Sequence, residues 1–173
     1  MMNTNYKIGA LDVLLSKDCL SERYYPLIPH KEKLISGLRL LGVETKNDAA
    51  ALSDEALMRA GLPDDAAVRL FRRFLTIYDP NPAKFKEIEK LSLSAEEKSA
   101  FAELYCLPGI KSVRASLYYQ SGYSWVSDFA DATVEEVLER TARTIAERGL
   151  ACIVPLPKEV RTHIAVARAF TRF

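Results

Sequence analysis

The sequence predicts an all-helical protein. Apolar residues recur at intervals of three and four along most of the chain, which is the spacing of one face of an α-helix. Proline and glycine divide these segments into short lengths, and serine or threonine precedes several of them, as helix N-caps do. The 173 residues are 49% hydrophobic and 27% charged, which is ordinary for a globular chain of one or two small domains.

The N-terminal half contains four predicted helical segments. A short amphipathic helix covers residues 6–15, and a second helix runs from Lys31 to Gly42, a suitable C-cap. Ser53 opens the third segment, and the apolar face of the fourth lies within residues 67–78. Residues 23–29 contain two prolines, which disfavour helix at the residues before them, so we expect an extended linker there.

Pro80 and Pro82 mark the expected domain boundary, which gives domains over residues 1–80 and 81–173. The C-terminal domain has helices with recognisable start and stop residues, namely capping boxes, an initiating proline and a terminal glycine. Apart from the hairpin described next, these helices are expected over residues 83–91, 94–106, 133–149 and 155–170.

Residues 104–121 are predicted to form a helical hairpin. Its turn contains Pro108 and Gly109 and is too short for anything but a tight antiparallel helix pair. After the turn, four apolar residues recur at helical spacing and are expected on the buried face, namely Ile110, Val113, Leu117 and Tyr118.

The start of the second hairpin helix is a candidate phosphate site. The first turn of a helix has N–H groups without intrahelical partners and the positive end of the macrodipole, so it can hold a phosphate oxygen. The side chains of Lys111, Ser112 and Arg114 would add a point charge, a hydroxyl group and a planar guanidinium. The alternative is a packing hairpin with a solvated lysine, because such helix pairs are common in all-helical proteins.

The hairpin resembles the helix-hairpin-helix family. The family motif is an apolar residue, glycine, an apolar residue and glycine, followed by a helix with a small residue packed on the first helix. Six residues match it in order, namely Leu107, Gly109, Ile110, Val113, Ala115 and Leu117. The resemblance implies binding of DNA without sequence preference, through backbone amides at Gly109, Ile110 and Ser112. Lys111 replaces the second family glycine, so either an ammonium contact replaces the amide contact or the hairpin is purely structural.

Two segments align without gaps and indicate an internal repeat. Residues 122–135 match residues 42–55 in the order of a helix-ending glycine, an aspartate within a turn and a serine or threonine that caps the next helix. In the family that the hairpin resembles, paired units form a compact five-helix domain that straddles a duplex. We therefore expect tandem, divergent helix-hairpin-helix-like (SAM-like) helical bundle units. Residues 28–31 lack the turn glycine, so the first unit is a degenerate repeat that has lost its phosphate contact.

Charge restricts where nucleic acid could bind. The formal net charge is only +1, so binding must depend on a local patch rather than on the field of the whole chain. Residues 140–173 carry seven basic and two acidic residues, which makes Lys158 and Arg161 candidates for neutralising phosphates. The alternative is that these cations balance the acidic residues of the middle region.

The sequence contains no recognisable enzyme motif. His30 and His163 lack metal-ligand spacing, and we expect His163 to be a surface or cap residue of the last helix. A glycine-rich phosphate loop, a nucleophile elbow and a dinucleotide fingerprint are missing, so we expect neither a metal nor a cofactor. Cys19, Cys106 and Cys152 are odd in number and widely spaced, which predicts reduced thiols that fill the core.

The expected function is non-enzymatic binding of nucleic acid, namely duplex DNA, through the hairpin. The alternative is a scaffold for a protein partner or for self-association, or an accessory domain, that kept the fold but lost the DNA contact. Apolar runs are too short to cross a membrane and the first residues lack a signal-peptide profile, so we expect a cytoplasmic protein without a membrane partner.

Overall fold

The computed structural model describes residues 2–173 and confirms the all-helical fold. These residues contain no sheet strand, and one isolated β-bridge joins Lys7 to Thr45. Eleven α-helices, here numbered α1 to α11, form most of the structure. They are Leu11–Leu14, Lys31–Leu40, Lys46–Ala50, Asp54–Ala60, Asp65–Leu75, Pro82–Glu89, Ala95–Leu104, Ser112–Gln120, Ser127–Ala130, Val134–Arg148 and Pro157–Thr171.

The chain divides into two compact units. The N-terminal unit comprises residues 3–79 together with 172–173, and the C-terminal unit comprises Met2 and residues 80–171. Each unit has its own buried apolar core. Within residues 2–173, every helix falls short of the length and hydropathy that a membrane crossing requires.

In the N-terminal unit, α2 packs on α4, and α5 packs on a 3-10 helix that precedes α2. A Cβ atom at Gly37 of α2 would overlap the backbone of Ala60 at the end of α4, so glycine is required for this close approach. Fully buried leucine and phenylalanine side chains fill the space between these helices, including Leu34, Leu38, Phe71 and Phe74.

The segment before α2 differs from our expectation. Glu22–His30 is a 3-10 helix and not an extended linker, although it contains Pro26 and Pro29. The φ angle that the proline ring imposes, about −65°, falls within the 3-10 range. Leu27 is completely buried, so burial of this side chain holds the segment against the core.

Lys46 at the start of α3 is a buried charge. Its side chain is 7% exposed and its ammonium pairs with the carboxylate of Asp79. Removing one partner of such a pair leaves an uncompensated charge in a low-dielectric site. This pair therefore fixes the end of α5 and the residues after it against α3.

In the C-terminal unit, α8 packs on α7 and α10, and α11 packs on α9 and α10. The centre is aromatic: Tyr118 and Phe129 are completely buried, with ring centroids 4.8 Å apart in an edge-to-face arrangement. Tyr123 stacks on Phe129 at the same centroid distance. Edge-to-face and offset pairs of this kind add to the stabilisation from burial alone.

The same hydrogen bonds occur in both units at positions eighty residues apart. Oδ2 of Asp48 accepts from the N–H groups three and four residues before it, at 2.9 and 3.2 Å. Oδ2 of Asp128 does the same, at 2.9 Å for both bonds. Gly42 and Gly122 both have positive φ angles, +74° and +91°, and each lies two residues after the last residue of a helix, Leu40 or Gln120. The two aligned segments therefore share these two hydrogen bonds and a glycine with positive φ, although α3 begins with a capping box at Thr45 and α9 begins one residue later without a side-chain cap.

Candidate functional site

The turn of the hairpin between α7 and α8 is open at Gly109 and anchored on both sides. Gly109 has a φ of +75°, a left-handed conformation that favours glycine, and a Cβ built there meets nothing within 4 Å. Leu107 and Ile110 are buried, at 0% and 2% exposure. The backbone at Gly109 is accessible from outside, while the side chains beside it belong to the core. Ile110 was predicted to offer its backbone amide, but this N–H group donates to the carbonyl oxygen of Leu107 at 3.4 Å and is already engaged within the turn.

The N-terminus of α8 has no side-chain cap. Lys111 occupies the N-cap position in an extended conformation, and no side chain accepts a bond from the first-turn amides within residues 2–173. Six other helices of the chain begin with a capping side chain, at Thr45, Ser53, Asp64, Asn81, Ser94 and Thr133. The first-turn N–H groups of α8 are consequently available to an external acceptor.

The side chains at the start of α8 are in different environments. Lys111 is exposed and makes no salt bridge within the part of the chain that the structure describes. Ser112 is half-buried, and its hydroxyl lies beside that of Tyr105. Burial raises the pKa of Tyr105, and the Ser112 hydroxyl has a smaller opposite effect. Of these two residues, only Lys111 is charged, and its side chain faces solvent.

Arg114 is engaged inside the C-terminal unit. Its Nε and Nη2 donate to the two carboxylate oxygens of Glu159 on α11, at 2.8 and 3.3 Å. Its Nη1 donates to the carbonyl oxygen of Ile153, at 3.0 Å, and the side chain is only 17% exposed. This geometry is the two-pronged pairing that guanidinium and carboxylate groups form. Arg114 joins α8 to α11, and its charge is already neutralised by Glu159.

His163 does not lie on the surface, and our expectation for it is wrong. The side chain is completely buried, with Nε2 2.8 Å from the carbonyl oxygen of Pro108 and Nδ1 2.9 Å from the Tyr118 hydroxyl. Because a carbonyl can only accept, Nε2 carries the hydrogen, and in the neutral ring Nδ1 accepts from Tyr118. Burial lowers the pKa of His163, against a smaller raising effect of the Pro108 bond. His163 therefore holds the hairpin turn as a neutral imidazole.

Lys158 and Arg161, the two predicted site residues on α11, are both exposed. Lys158 lines a shallow depression of about 360 Å³ together with Pro108 and Gly109, so it lies beside the turn. Arg161 is three residues further along and shares a helical face with Lys158. Neither forms a salt bridge with another residue in the range 2–173. The structure brings Lys158 to the hairpin, and Arg161 follows it along α11.

Three other arginines of residues 140–173 have structural contacts. Arg168 donates to the carbonyl oxygens of Ala130 and Ala132, at 3.0 and 3.4 Å. Arg143 pairs with Glu139 at 2.7 Å. Arg140 lies over the ring of Tyr123, 5.4 Å from its centroid, as a cation–π contact. Fewer cations of residues 140–173 are therefore available to a ligand than the count of basic residues suggests.

Val113 is 63% exposed, which corrects its predicted place on the buried face. The inward face of α8 is formed instead by Ala115, Leu117 and Tyr118, which are buried. Val113 lines an apolar groove of about 380 Å³ on the C-terminal unit, together with Leu117 and residues 150–152. Ile153 and Leu156, in the connection between α10 and α11, are also exposed, at 76% and 67%.

The structure offers no obvious metal centre. Within residues 2–173, no group of three or more histidine, cysteine and carboxylate side chains could hold a metal ion. All three cysteines are free thiols, of which Cys19 is buried and Cys106 and Cys152 are half-buried. Burial raises the pKa of both Cys19 and Cys106, so these thiols are poor nucleophiles at neutral pH.

Two contacts that position the hairpin were missed in the sequence. His163 falls between Val160 and Ala167 at intervals of three and four, so helical periodicity alone would have put it on the buried face. The pairing of Arg114 with Glu159 has no such signal, because the two residues are far apart in sequence and lie on different helices.

Comparison with known proteins assigns no role to these residues. The chain matches no protein-family model, no curated protein and no solved structure. What the hairpin can do is therefore inferred from its hydrogen bonding, charge and exposure.

Proposed function

We propose that the C-terminal unit is a non-enzymatic module that binds the phosphate backbone of nucleic acid, namely duplex DNA, at the hairpin turn and without reading base sequence. The observation that carries this proposal is the uncapped N-terminus of α8, which begins at the exposed Lys111 beside the open turn at Gly109. Free N–H groups and the positive end of a helix dipole attract an anion at this position.

The surrounding charges support a phosphate ligand. Lys111 and Lys158 lie on the two sides of the turn, one at the N-cap of α8 and one in the first turn of α11. Arg161 extends this line of cations along α11. Contacts of this type are with phosphate oxygens rather than base edges, so they give affinity and salt dependence without sequence preference.

The proposed contact excludes the guanidinium of Arg114. This group already has two bonds to Glu159 and one to the Ile153 carbonyl, so a phosphate would have to displace a partly buried carboxylate. We assign Arg114 a positioning role, in which it fixes α11 and thereby Lys158 beside the turn.

We further propose that the two units are divergent tandem copies of one helix-hairpin-helix-like unit. The paired turns with matching hydrogen bonds at Asp48 and Asp128 support this relationship. In the N-terminal unit the position equivalent to Lys111 is Lys31, whose Nζ donates to the carbonyl of Asp12 and pairs with its carboxylate at 3.2 Å. That lysine is already engaged, so we assign phosphate binding to the C-terminal copy.

A salt titration of DNA binding tests the proposal. Fluorescence anisotropy with random-sequence duplex and with single-stranded DNA should show duplex affinity that falls steeply with salt and varies little between sequences. Lys111→Glu should weaken binding by about tenfold or more while the protein stays folded, because exposed charges contribute little to stability. Lys86→Glu is the matched control, since Lys86 is an exposed lysine of α6 in the same unit.

A proline substitution isolates the amide contact. Ser112 is the first residue of α8, where proline is compatible with a helix but has no N–H group. Ser112→Pro should weaken DNA binding, whereas Ser112→Ala, which removes only the hydroxyl, should bind as wild type. If Ser112→Pro and Lys111→Glu both bound DNA with wild-type affinity, the hairpin would not be part of the contact surface.

A further inference from the structure

The apolar groove beside α8 is a second surface, and of its lining residues only Ser112 also belongs to the proposed phosphate site. Leu93, Phe101, Val113, Leu117, Leu150 and Cys152 line most of it. Val113 is 63% exposed, although valine side chains are usually buried. This depression of about 380 Å³ has room for apolar side chains of a partner segment.

The wall of the groove is uncharged, whereas its rim carries positive charge. None of its lining residues within the described chain is charged, and the polar members are serines and one glutamine. Arg148 is exposed at the rim, where its Nη1 donates to Oε1 of the lining residue Gln120 at 3.2 Å. At the other end, Lys111 precedes the lining residue Ser112, and the uncapped N-terminus of α8 adds its partial positive charge.

Two carboxylates near the groove are already paired with other cations. Glu89, close in sequence to the lining residue Leu91, pairs with Lys98 at 3.2 Å. Glu159 pairs with Arg114. Arg148 and Lys111 form no salt bridge within residues 2–173. A ligand with apolar and anionic groups would therefore complement both the wall and the rim.

We infer that this groove docks an amphipathic segment of a partner protein, with apolar side chains in the groove and acidic side chains at the rim beside Lys111 and Arg148. An amphipathic helix seated in a groove is a common mode of peptide recognition. Complementary charge gives specificity and speeds association, and buried apolar anchors supply most of the affinity. Val113 and the apolar residues of the groove wall lie outside the proposed phosphate contact, whereas Lys111 takes part in both proposals.

Peptide display against the full chain tests the inference. A library of random short peptides is selected on the wild-type protein and counter-selected on Val113→Asp. Val113 is exposed and near the N-terminus of α8, where an acidic residue is favourable, so this variant should fold. We expect enriched peptides to combine helically spaced apolar residues with an excess of Asp and Glu. Enrichment of neutral or basic peptides, or no enrichment over Val113→Asp, would overturn the inference.

Affinities of one selected peptide then locate the contact. Val113→Asp and Arg148→Glu should each weaken its binding by about tenfold or more. Ile153→Asp is the control for an exposed apolar residue outside the groove wall, and Arg143→Glu is the control for an exposed arginine of α10. Equal losses in the control variants would also overturn the assignment.

Sedimentation of the protein alone distinguishes a second copy of this chain from a foreign segment. The wild-type protein and Val113→Asp should have the same, concentration-independent mass. A dimer that is present in the wild type and lost in Val113→Asp would show that the groove binds another copy, and would contradict the proposed partner.

Discussion

Nε2 of His163 donates a hydrogen bond to the carbonyl oxygen of Pro108 across 2.8 Å, and through it α11 holds the hairpin turn from inside the C-terminal unit. The other ring nitrogen bonds to the Tyr118 hydroxyl on α8. One imidazole thus joins three parts of the unit, namely the turn, α8 and α11. Since both partners are buried or half-buried, water is poorly placed to replace either bond.

His163→Ala should lower the free energy of unfolding by about 2–4 kcal/mol, because it opens a cavity and leaves the Tyr118 hydroxyl without this partner. Urea denaturation followed by circular dichroism measures the change. The control is His30→Ala, since His30 is half-exposed and makes no side-chain hydrogen bond within residues 2–173. A loss from His163→Ala no larger than that from His30→Ala would contradict the structural role.

Acid should destabilise the protein through His163. The folded-state pKa of His163 is lowered, mainly by burial, while in the unfolded chain the pKa is about 6.5. The unfolded state therefore binds more protons between these two values, and stability is complete above the unfolded pKa and decreases as the pH falls towards the folded pKa. Denaturation measured at several pH values between about 7.5 and 5 should show this decrease. His163→Gln, which cannot titrate, should flatten that part of the profile.

The pair of Arg114 and Glu159 should couple the stabilities of α8 and α11. In a double-mutant cycle with Arg114→Met and Glu159→Gln, we expect a coupling energy of about 1–3 kcal/mol, because both groups are partly buried and share two hydrogen bonds. The exposed pair of Arg143 and Glu139 is the matched control and should couple by less than about 0.5 kcal/mol.

Arg114→Met also distinguishes a structural role of Arg114 from a role in DNA binding. Arg114→Met, measured under conditions where it is folded, should lose less DNA affinity than Lys111→Glu. A loss as large as that of Lys111→Glu would mean that the guanidinium leaves Glu159 to contact phosphate.

Gly37→Ala should destabilise the N-terminal unit by about 3 kcal/mol or more, because the added Cβ overlaps the backbone of Ala60. Helix propensity alone predicts the opposite sign, a gain of about 1 kcal/mol for alanine over glycine. Ser36→Ala, at an exposed position of the same helix, is the control and should be nearly neutral or slightly stabilising. Thermal denaturation decides between the two signs, and an unchanged midpoint in Gly37→Ala would contradict the close packing of α2 on α4.

Local signals in the sequence were enough to predict the longer helices of the C-terminal unit. Ser94 and Thr133 form capping boxes with the glutamates three residues on, and Gly149 ends α10 in a left-handed conformation. These features depend on neighbours within one turn of the chain, so they can be recognised without tertiary structure. The 3-10 helix at Glu22–His30 was missed because its stability depends on burying Leu27 against residues that are distant in sequence.

The candidate site was less predictable than the fold. The sequence predicts an exposed Lys111 and an open Gly109, since both follow from a short turn before a helix. It cannot predict that Glu159 occupies the guanidinium of Arg114, because that contact depends on how α11 lies on α8. For Val113, periodicity failed because the spacing was counted from Ile110, which lies before α8 and is separated from it by the extended Lys111.

The bond between His163 and Pro108 also has a thermodynamic consequence for ligands. An anion bound at the turn stabilises the imidazolium form of His163 by Coulomb attraction, so reciprocity requires that protonation of His163 strengthen anion binding by the same free energy. Binding of a ligand at the turn would then change the protonation equilibrium of the buried His163 imidazole, which the ligand does not contact. The imidazole resonance of His163, followed by NMR during a pH titration with and without DNA, would register binding as an upward displacement of its titration midpoint.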